Sequence, residues 1–244
     1  MIVKYLLAAL VAGLIAGGLV TVAQQAKVVP LILEAEKYES QPAVAHDHMS
    51  GLNFAIATPA LAHDHAAMLA EGETADGGML FGVSRLTGTL LANLVAGCGF
   101  ALILMAVSLF TGQTVTVATG ALWGAAAWLA FQLLPSIGLP PELPGFPAAD
   151  LVERQIWWVG TVIASAAGLY LVILRPEIWA KVTGLVLMLV PHVVGAPQPA
   201  DITTNVPAIL AAEFAVATLA TGLFFWVVLG LLLGTLNARM AKTA

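Results

Sequence analysis

Long runs of apolar residues dominate the chain and are separated by shorter polar stretches. Six runs can be distinguished, at about residues 5–24, 86–110, 115–135, 155–175, 178–196 and 211–236. A helix needs about 20 such residues to cross the hydrocarbon core of a bilayer. The runs are continuous and rich in Leu, Ala and Gly, whereas the strands of a membrane β-barrel alternate. We therefore predict an all-α fold, a polytopic transmembrane helix bundle.

The number of spans is predicted to be six, with five as the alternative. The fifth run is the weakest, because it is short and Pro191 interrupts it. The first run has features of a secretory signal, with Lys4 at its start and Thr21-Val22-Ala23 as a candidate cleavage site. It is longer than the roughly 7–15 apolar residues of a signal core, which favours an uncleaved span.

Composition supports a membrane protein. Hydrophobic residues make up 60% of the 244 residues, charged residues 9%, and the mean hydropathy is +0.94. A soluble domain carries about a quarter charged residues, so a soluble fold of this chain could not cover its surface. The net charge is −5 and no basic run indicates a nucleic-acid partner. The single cysteine, Cys98, can form neither an intrachain disulfide nor a metal site alone.

Charge predicts the orientation of the bundle. With six spans, the positive-inside rule assigns one set of basic residues to the cytoplasm: Lys4, Arg175, Lys181, Arg239 and Lys242. The opposite side has nearly as many basic residues but almost all of the acidic ones, since only Glu177 falls inside. We predict cytoplasmic N- and C-termini and a negative external face, which would concentrate cations.

Two segments are predicted to lie outside the membrane. The loop of about residues 25–85 opens with the apolar stretch 28–36, which either continues the first helix past Pro30 or lies in the interface. Residues 40–80 are rich in Ala, Gly, Pro and acids, and we predict them to be largely flexible. A second external segment, 136–154, is predicted to be a stiff cap without regular helix because of its prolines: Pro135 at its edge, Pro140, Pro141, Pro144 and Pro147.

Four of the five histidines occur in two identical triplets, His46-Asp47-His48 and His63-Asp64-His65. In an extended segment, residues i and i+2 point the same way, so both imidazoles of a triplet could bind one ion. Imidazole with carboxylate suits borderline divalent ions such as Co, Ni, Zn and Cu(II). Protonation of the rings below about pH 6.5 would release the ion. The alternative is a solvated loop without a ligand, but the duplication favours metal binding.

Other acidic and histidine side chains are candidates on the external side. His192 lies near the outer end of the fifth run and Glu213 at the start of the sixth. An ionisable residue at such a depth is a functional candidate by default. His192 could equally be an interfacial residue, and Glu213 a carboxylate favoured by the helix dipole. Glu34 and Glu36 either collect cations or form a solvated face.

Polar and small residues within the runs are predicted to hold helices together. Asn93 and Gln132 are interpreted as interhelical hydrogen-bond partners. Trp157 and Trp158, with Arg154, are typical of an interfacial aromatic belt. Glycines spaced four apart allow helix backbones to approach closely, in three pairs: Gly13/Gly17, Gly120/Gly124 and Gly230/Gly234.

No enzyme motif occurs in the sequence. There is no phosphate-binding loop, no His-Glu-x-x-His zinc motif and no Ser/His/Asp arrangement. We therefore predict that the protein is not an enzyme. A membrane-bound metalloenzyme would need more ligands held on rigid elements.

Several uncommon residue strings are spread over nearly the whole chain. The first is Val28-Val29-Pro30-Leu31-Ile32-Leu33-Glu34-Ala35-Glu36, followed by the His-Asp-His loop. Next come Leu139-Pro140-Pro141-Glu142-Leu143-Pro144-Gly145, Ala148-Ala149-Asp150-Leu151 and Arg154-Gln155-x-Trp157-Trp158. The last are Pro191-His192-x-x-Gly195-Ala196-Pro197 and Val206-Pro207…Glu213-Phe214. In these strings the chain resembles the CbtA family, the probable cobalt transporter subunit.

The resemblance implies a bacterial inner-membrane protein with five or so spans. It implies cobalt uptake linked to cobalamin synthesis, and a partner, the small CbtB subunit, with one span and a His-rich end. It also adds weight to six residues as metal contacts: Glu34, Glu36, Glu142, Asp150, His192 and Glu213.

The leading hypothesis is therefore a membrane subunit for uptake of cobalt or a related divalent metal, captured on the external His-Asp-His loop. The alternative is a non-transporting accessory or assembly subunit of a larger membrane complex, with a metal-binding loop. The scarcity of intramembrane charges favours this alternative, because an ion path usually needs some.

Overall fold

The computed structural model describes residues 2–39 and 84–242, and within them every regular element is helical. Seven helices follow one another: α1 Ile2–Lys27, α2 Val29–Glu39, α3 Arg85–Thr111, α4 Gly120–Gly138, α5 Leu151–Leu174, α6 Ile178–Val194 and α7 Ala208–Lys242. The predicted all-α bundle is confirmed.

The helices differ in their capacity to span a bilayer. In the described part of the chain, five are long and apolar enough to cross a membrane: α1, α3, α4, α5 and α7. Helix α6 has 17 residues and is also apolar. That length is at the lower end of the roughly 17–25 residues of membrane helices. The chain has six spans if α6 crosses the membrane and five if it does not, and its length alone is compatible with both.

The apolar stretch after the first run forms a helix of its own. Helix α1 ends at Lys27, a turn follows at Val28, and α2 then runs to Glu39. Pro30 is the second residue of α2, where its missing N–H breaks no helical bond. The stretch 28–36 is therefore helical, but a turn at Val28 separates it from α1.

Glycines bring α1 and α3 together as an antiparallel pair. A Cβ added at Gly13 would lie 2.5 Å from the carbonyl oxygen of Gly97, and one at Gly17 would overlap the carbonyl of Asn93. Neither position accepts a side chain without a shift of backbone. The packing role predicted for this glycine pair is confirmed.

Helices α4 and α7 pack in the same way, with a regular register. Gly120 faces Gly230, Gly124 faces Trp226, and Gly234 faces Thr116. These contacts confirm the packing role of the other two glycine pairs. The side chain of Trp226 is almost completely buried here, at 1% exposure. Helices α5 and α6 form a third antiparallel pair through Gly168 and Gly184.

Helix α4 contains a π-helical turn before its proline. The π-helical segment is Leu129–Leu133, in which the N–H of Leu134 bonds the carbonyl of Leu129. The helix then continues through Pro135 to Gly138. A proline inside a helix has no N–H and crowds the carbonyl one turn earlier, and a π turn accommodates both effects. The expectation that Pro135 belongs to an irregular cap was wrong, whereas the later prolines do lie outside helices.

One end of the bundle carries most of the structure outside the long helices. At this end, which we call the loop end, α1, α4 and α6 finish and α3, α5 and α7 begin. Helix α2 packs there against the segments 139–150 and 195–207. A small apolar cluster joins them, formed by Val28, Ala35, Leu143, Val206, Leu210 and Phe214. The Thr204 hydroxyl also donates to the Gly145 carbonyl at 3.0 Å.

Candidate functional site

Half of the predicted metal ligands lie outside the described residues. These are the two triplets, His46, Asp47, His48, His63, Asp64 and His65. The other six candidates, Glu34, Glu36, Glu142, Asp150, His192 and Glu213, lie on elements of the loop end.

His192 stands in the last turn of α6 with an unusual environment. Its two ring nitrogens, Nδ1 and Nε2, are buried, and neither has a hydrogen-bond partner. The ring meets that of Trp157 on α5 edge to face, with centroids 5.9 Å apart. The Trp157 indole N–H donates to the Pro191 carbonyl at 3.2 Å, which ties α5 to this turn. Most buried polar atoms have a partner, so His192 stands out as a side chain with unused capacity to bind a ligand.

Glu142 lies in a pocket between the two proline-containing segments. Its carboxylate accepts from the Arg154 guanidinium at 3.1 Å, and both side chains are about 28–29% exposed. The pocket has a volume of about 230 Å³, and Phe146, Pro197 and Ile202 contribute to its walls. Arg154 therefore neutralises Glu142, beyond the interfacial role expected for it.

The two acids on α2 are also paired with cations. Glu36 accepts from Arg85 at 2.8 Å and 3.4 Å, which fastens α2 to the first residue of α3. Glu34 accepts from Lys37 at 2.5 Å, and this hydrogen bond raises the pKa of the exposed Lys37 ammonium. The Glu34–Lys37 pair is exposed and the Glu36–Arg85 pair is only partly buried, at 36% and 26% side-chain exposure, so each stabilises the fold only slightly.

Asp150 caps the start of α5. Its Oδ1 accepts from the backbone N–H groups of Val152 at 2.9 Å and Glu153 at 3.1 Å. A carboxylate in this position satisfies amides that have no partner within the helix. Geometry therefore gives Asp150 a structural role.

Glu213 points away from the packed face of α7. Helix α7 begins at Ala208, so Glu213 lies beyond the first turn, and its side chain is exposed. The favourable effect of the helix dipole is confined to about the first turn. Among the described residues, no three His, Cys, Asp or Glu side chains are close enough together to hold a metal ion.

The two intramembrane amides behave differently from each other. Asn93 donates to the Thr21 hydroxyl at 3.0 Å and to the Gln24 side-chain oxygen at 2.7 Å. The interhelical role predicted for Asn93 is confirmed. Gln132 reaches across to Gly222 on α7, but its Oε1 is buried without a hydrogen-bond partner.

Sequence reasoning missed several polar side chains that the fold buries without a hydrogen-bond partner. They include the hydroxyl of Thr218 on α7 and the Nε2 of Gln25 on α1. Each interrupts or borders an apolar run, and that interruption is the signal by which they could have been found.

Comparison with known proteins places the chain in a family. No curated protein and no solved structure matches it. The family model described as "Probable cobalt transporter subunit (CbtA)" matches residues 2–238, nearly the whole chain. Together with its long apolar helices, this match identifies a membrane protein, and the chain belongs to the CbtA family of probable cobalt transporter subunits.

Proposed function

We propose that this protein is the membrane subunit through which cobalt, or a related divalent metal such as Ni, Zn or Cu, is taken up. The family match supports cobalt as the transported substrate. The structural observation that carries the proposal is His192, whose two ring nitrogens are buried at the loop end without partners. A transporter subunit implies movement of an ion rather than an enzymatic reaction.

Capture of the ion begins on the external loop. His46, Asp47, His48, His63, Asp64 and His65 supply imidazole and carboxylate groups, which bind borderline divalent ions. Acidic residues outnumber basic ones on the loop-end elements, so the surface attracts dications. Glu34, Glu36, Glu142, Asp150 and Glu213 contribute to this field even where a cation or an N–H group already pairs them.

His192 receives the ion from the loop. A neutral imidazole nitrogen is a good ligand for Co, Ni, Zn and Cu, and Trp157 holds this ring in place from the side. Coordination would satisfy a nitrogen that the protein leaves unpaired. The ion would therefore bind at the point where α6 meets the start of α5.

The orientation and the partner complete the proposal. The N- and C-termini are cytoplasmic, the loop end faces outward, and the protein lies in the bacterial inner membrane. A small single-span subunit of the CbtB kind, with a His-rich end, is the partner. Inward movement of a dication is favoured by about 4.6 kcal/mol per 100 mV of membrane potential.

Uptake of labelled cobalt tests the proposal. Cells would carry the wild-type chain, no chain, a variant with the four loop histidines changed to Ala, or His192→Ala. We expect both variants to lower uptake at limiting cobalt about tenfold or more, since even groups that only orient metal ligands contribute 10- to 100-fold to affinity. Val194→Ala, an exposed apolar position in the same turn, is the matched control and keeps full uptake.

Two results would contradict the proposal. Equal uptake by cells without the protein would rule out transport by this chain. Normal uptake by the His192→Ala variant, at normal abundance in the membrane, would remove His192 from the path.

A further inference from the structure

The interface between α4 and α7 contains polar atoms that no protein group satisfies. The register of this antiparallel pair places Thr116 opposite Gly234, Gly120 opposite Gly230 and Gly124 opposite Trp226. Further along the pair, the side-chain amide of Gln132 lies against Gly222. The Trp128 indole N–H, which donates to the Leu219 carbonyl at 3.1 Å, confirms that the pairing extends this far.

The amide of Gln132 lies against the backbone of α7. A Cβ added at Gly222 would overlap its Oε1, so only glycine leaves room for the amide here. Thr218 precedes Gly222 by one turn, on the same face of α7. Both the Gln132 Oε1 and the Thr218 hydroxyl are buried, and neither has a hydrogen-bond partner.

Neighbouring polar groups show that the fold can satisfy such atoms. The hydroxyl of Thr221, in the same stretch of α7, donates to the Ala217 carbonyl at 2.8 Å. Asn93, at the α1–α3 interface, uses its amide N–H groups on Thr21 and Gln24. Gln132 and Thr218 differ from these neighbours, because their buried oxygens have no partner in the fold.

The backbone adds further oxygen atoms at the same level. Gln132 belongs to the π-helical segment Leu129–Leu133, and Pro135 follows directly. Pro135 has no N–H, so one carbonyl in the preceding turn has no helical donor. Irregular helix with free carbonyls inside a membrane occurs where it is covered by protein or lines a path.

All of these donors are neutral oxygens. An amide oxygen, a hydroxyl and a backbone carbonyl can replace part of the water shell of a cation but cannot neutralise its charge. Such a site binds weakly enough to let the ion leave, which conduction requires. Gln132 is six residues from the loop-end terminus of α4, a depth of about 9 Å along the helix.

We propose that Gln132, with Thr218 one turn closer to the loop end, forms a transit position for a partly dehydrated divalent cation between α4 and α7. This inference rests on the proposed uptake function and adds a second position for the ion, further from the loop end than His192. The position also explains how an ion could cross a bundle whose interior has so few charges.

Matched variants test the transit position in labelled-cobalt uptake. Gln132→Leu and Thr218→Val remove the oxygens and keep the side-chain size, whereas Thr218→Ser keeps a hydroxyl. Thr221→Val is the control, because that hydroxyl bonds only carbonyls of its own helix. We expect Gln132→Leu and Thr218→Val to lower uptake about tenfold, the effect of one lost contact to a charge. Thr218→Ser and Thr221→Val should stay within twofold of wild type.

The unfolding temperature of the purified variants in detergent separates transit from a structural role. Gln132→Leu removes an amide oxygen that has no partner, so the unfolding temperature should stay equal or rise. A fall in uptake together with a fall in unfolding temperature would overturn the transit role. Normal uptake by Gln132→Leu and Thr218→Val, with His192→Ala still impaired, would overturn this inference alone. Equal uptake without the protein would overturn the proposed function as well.

Discussion

Asp150 holds the first turn of α5 through two backbone N–H groups, and this predicts how its variants behave. Asp150→Asn and Asp150→Ser keep an oxygen that can cap the helix, whereas Asp150→Ala does not. We expect Asp150→Ala to lower the free energy of unfolding by about 1 kcal/mol. Asn and Ser should preserve stability and keep cobalt uptake within about twofold of wild type, because only one of several external charges is lost. Thermal unfolding and labelled-cobalt uptake of the three variants check this.

A different pattern would restore Asp150 as a metal ligand. Uptake would then fall in all three variants, because each of them removes the negative charge. Stability would fall only in the alanine variant, so the two measurements separate the roles.

Single residues show where sequence reasoning reaches its limit. Asn93 could be predicted as an interhelical partner because an amide inside an apolar run has few other options. Asp150 looked like a ligand, since sequence shows a carboxylate but not the N–H groups within its reach. Glu142 and Glu36 are similar, since sequence does not show that arginines pair with them. His192 is the opposite case, because the missing partners are visible only in three dimensions.

At the scale of helices, two adjacent glycines of α1 make a matched pair. A Cβ at Gly17 would overlap the backbone carbonyl of Asn93, whereas a Cβ at Gly18 would meet nothing within 4 Å. Gly17→Ala must push α1 and α3 apart, and overpacking of this kind costs roughly 1–3 kcal/mol. Gly18→Ala should leave stability equal or raise it by up to about 1 kcal/mol, because alanine favours helix.

Thermal unfolding in detergent measures both glycine variants on the same helix. Equal destabilisation by the two alanines would show that the α1–α3 contact is looser than this packing requires. Equal stability of Gly17→Ala and wild type would contradict the close approach directly.

The positions of the helices follow from the apolar runs, but their irregularities do not. Each of the six runs corresponds to a helix, because an apolar segment of that length has few other structures in a membrane. The π turn of α4 and its continuation past Pro135 were not predictable, because a proline in the sequence indicates a helix end as readily as a distorted helix. Helix α2 was left open in the sequence for another reason. Its apolar face is buried by segments more than a hundred residues away.

The whole molecule is arranged as antiparallel helix pairs, and the longer connections between helices meet at the loop end. The α5–α6 hairpin joins the rest largely there, where Trp157 contacts Gly138 and Trp158 lies near Phe131. Below this contact, an apolar cavity of about 300 Å³ separates α5 from α3 and α4. The proposed positions, His192 and Gln132, both border this contact, since the His192 ring meets Trp157 and Gln132 follows Phe131.

The path of α6 decides the topology of the whole chain. At 17 residues and about 1.5 Å per residue, α6 is roughly 26 Å long, slightly less than the hydrocarbon core. Its start lies beside the end of α5, and its end lies beside Trp157 near the start of α5. The hydrogen bond from Thr204 to Gly145 also places the segment after α6 at the loop end. We therefore predict that α6 crosses the membrane and that the chain has six spans.

Thiol labelling of intact cells checks this prediction. The background is Cys98→Ala, which removes the single native thiol, and one cysteine is then introduced at Gln113, Pro176 or Gln198. With six spans and an outward loop end, a membrane-impermeant reagent labels Gln198→Cys in intact cells. Gln113→Cys and Pro176→Cys react only after the membrane is opened.

If α6 did not cross, Gln198→Cys and Pro176→Cys would react on the same side, and the loop after α6 could not contribute to an external metal site. In the reverse pattern, only Gln113→Cys and Pro176→Cys would react in intact cells. That result would keep six spans but turn the loop end inward, which would contradict capture from outside.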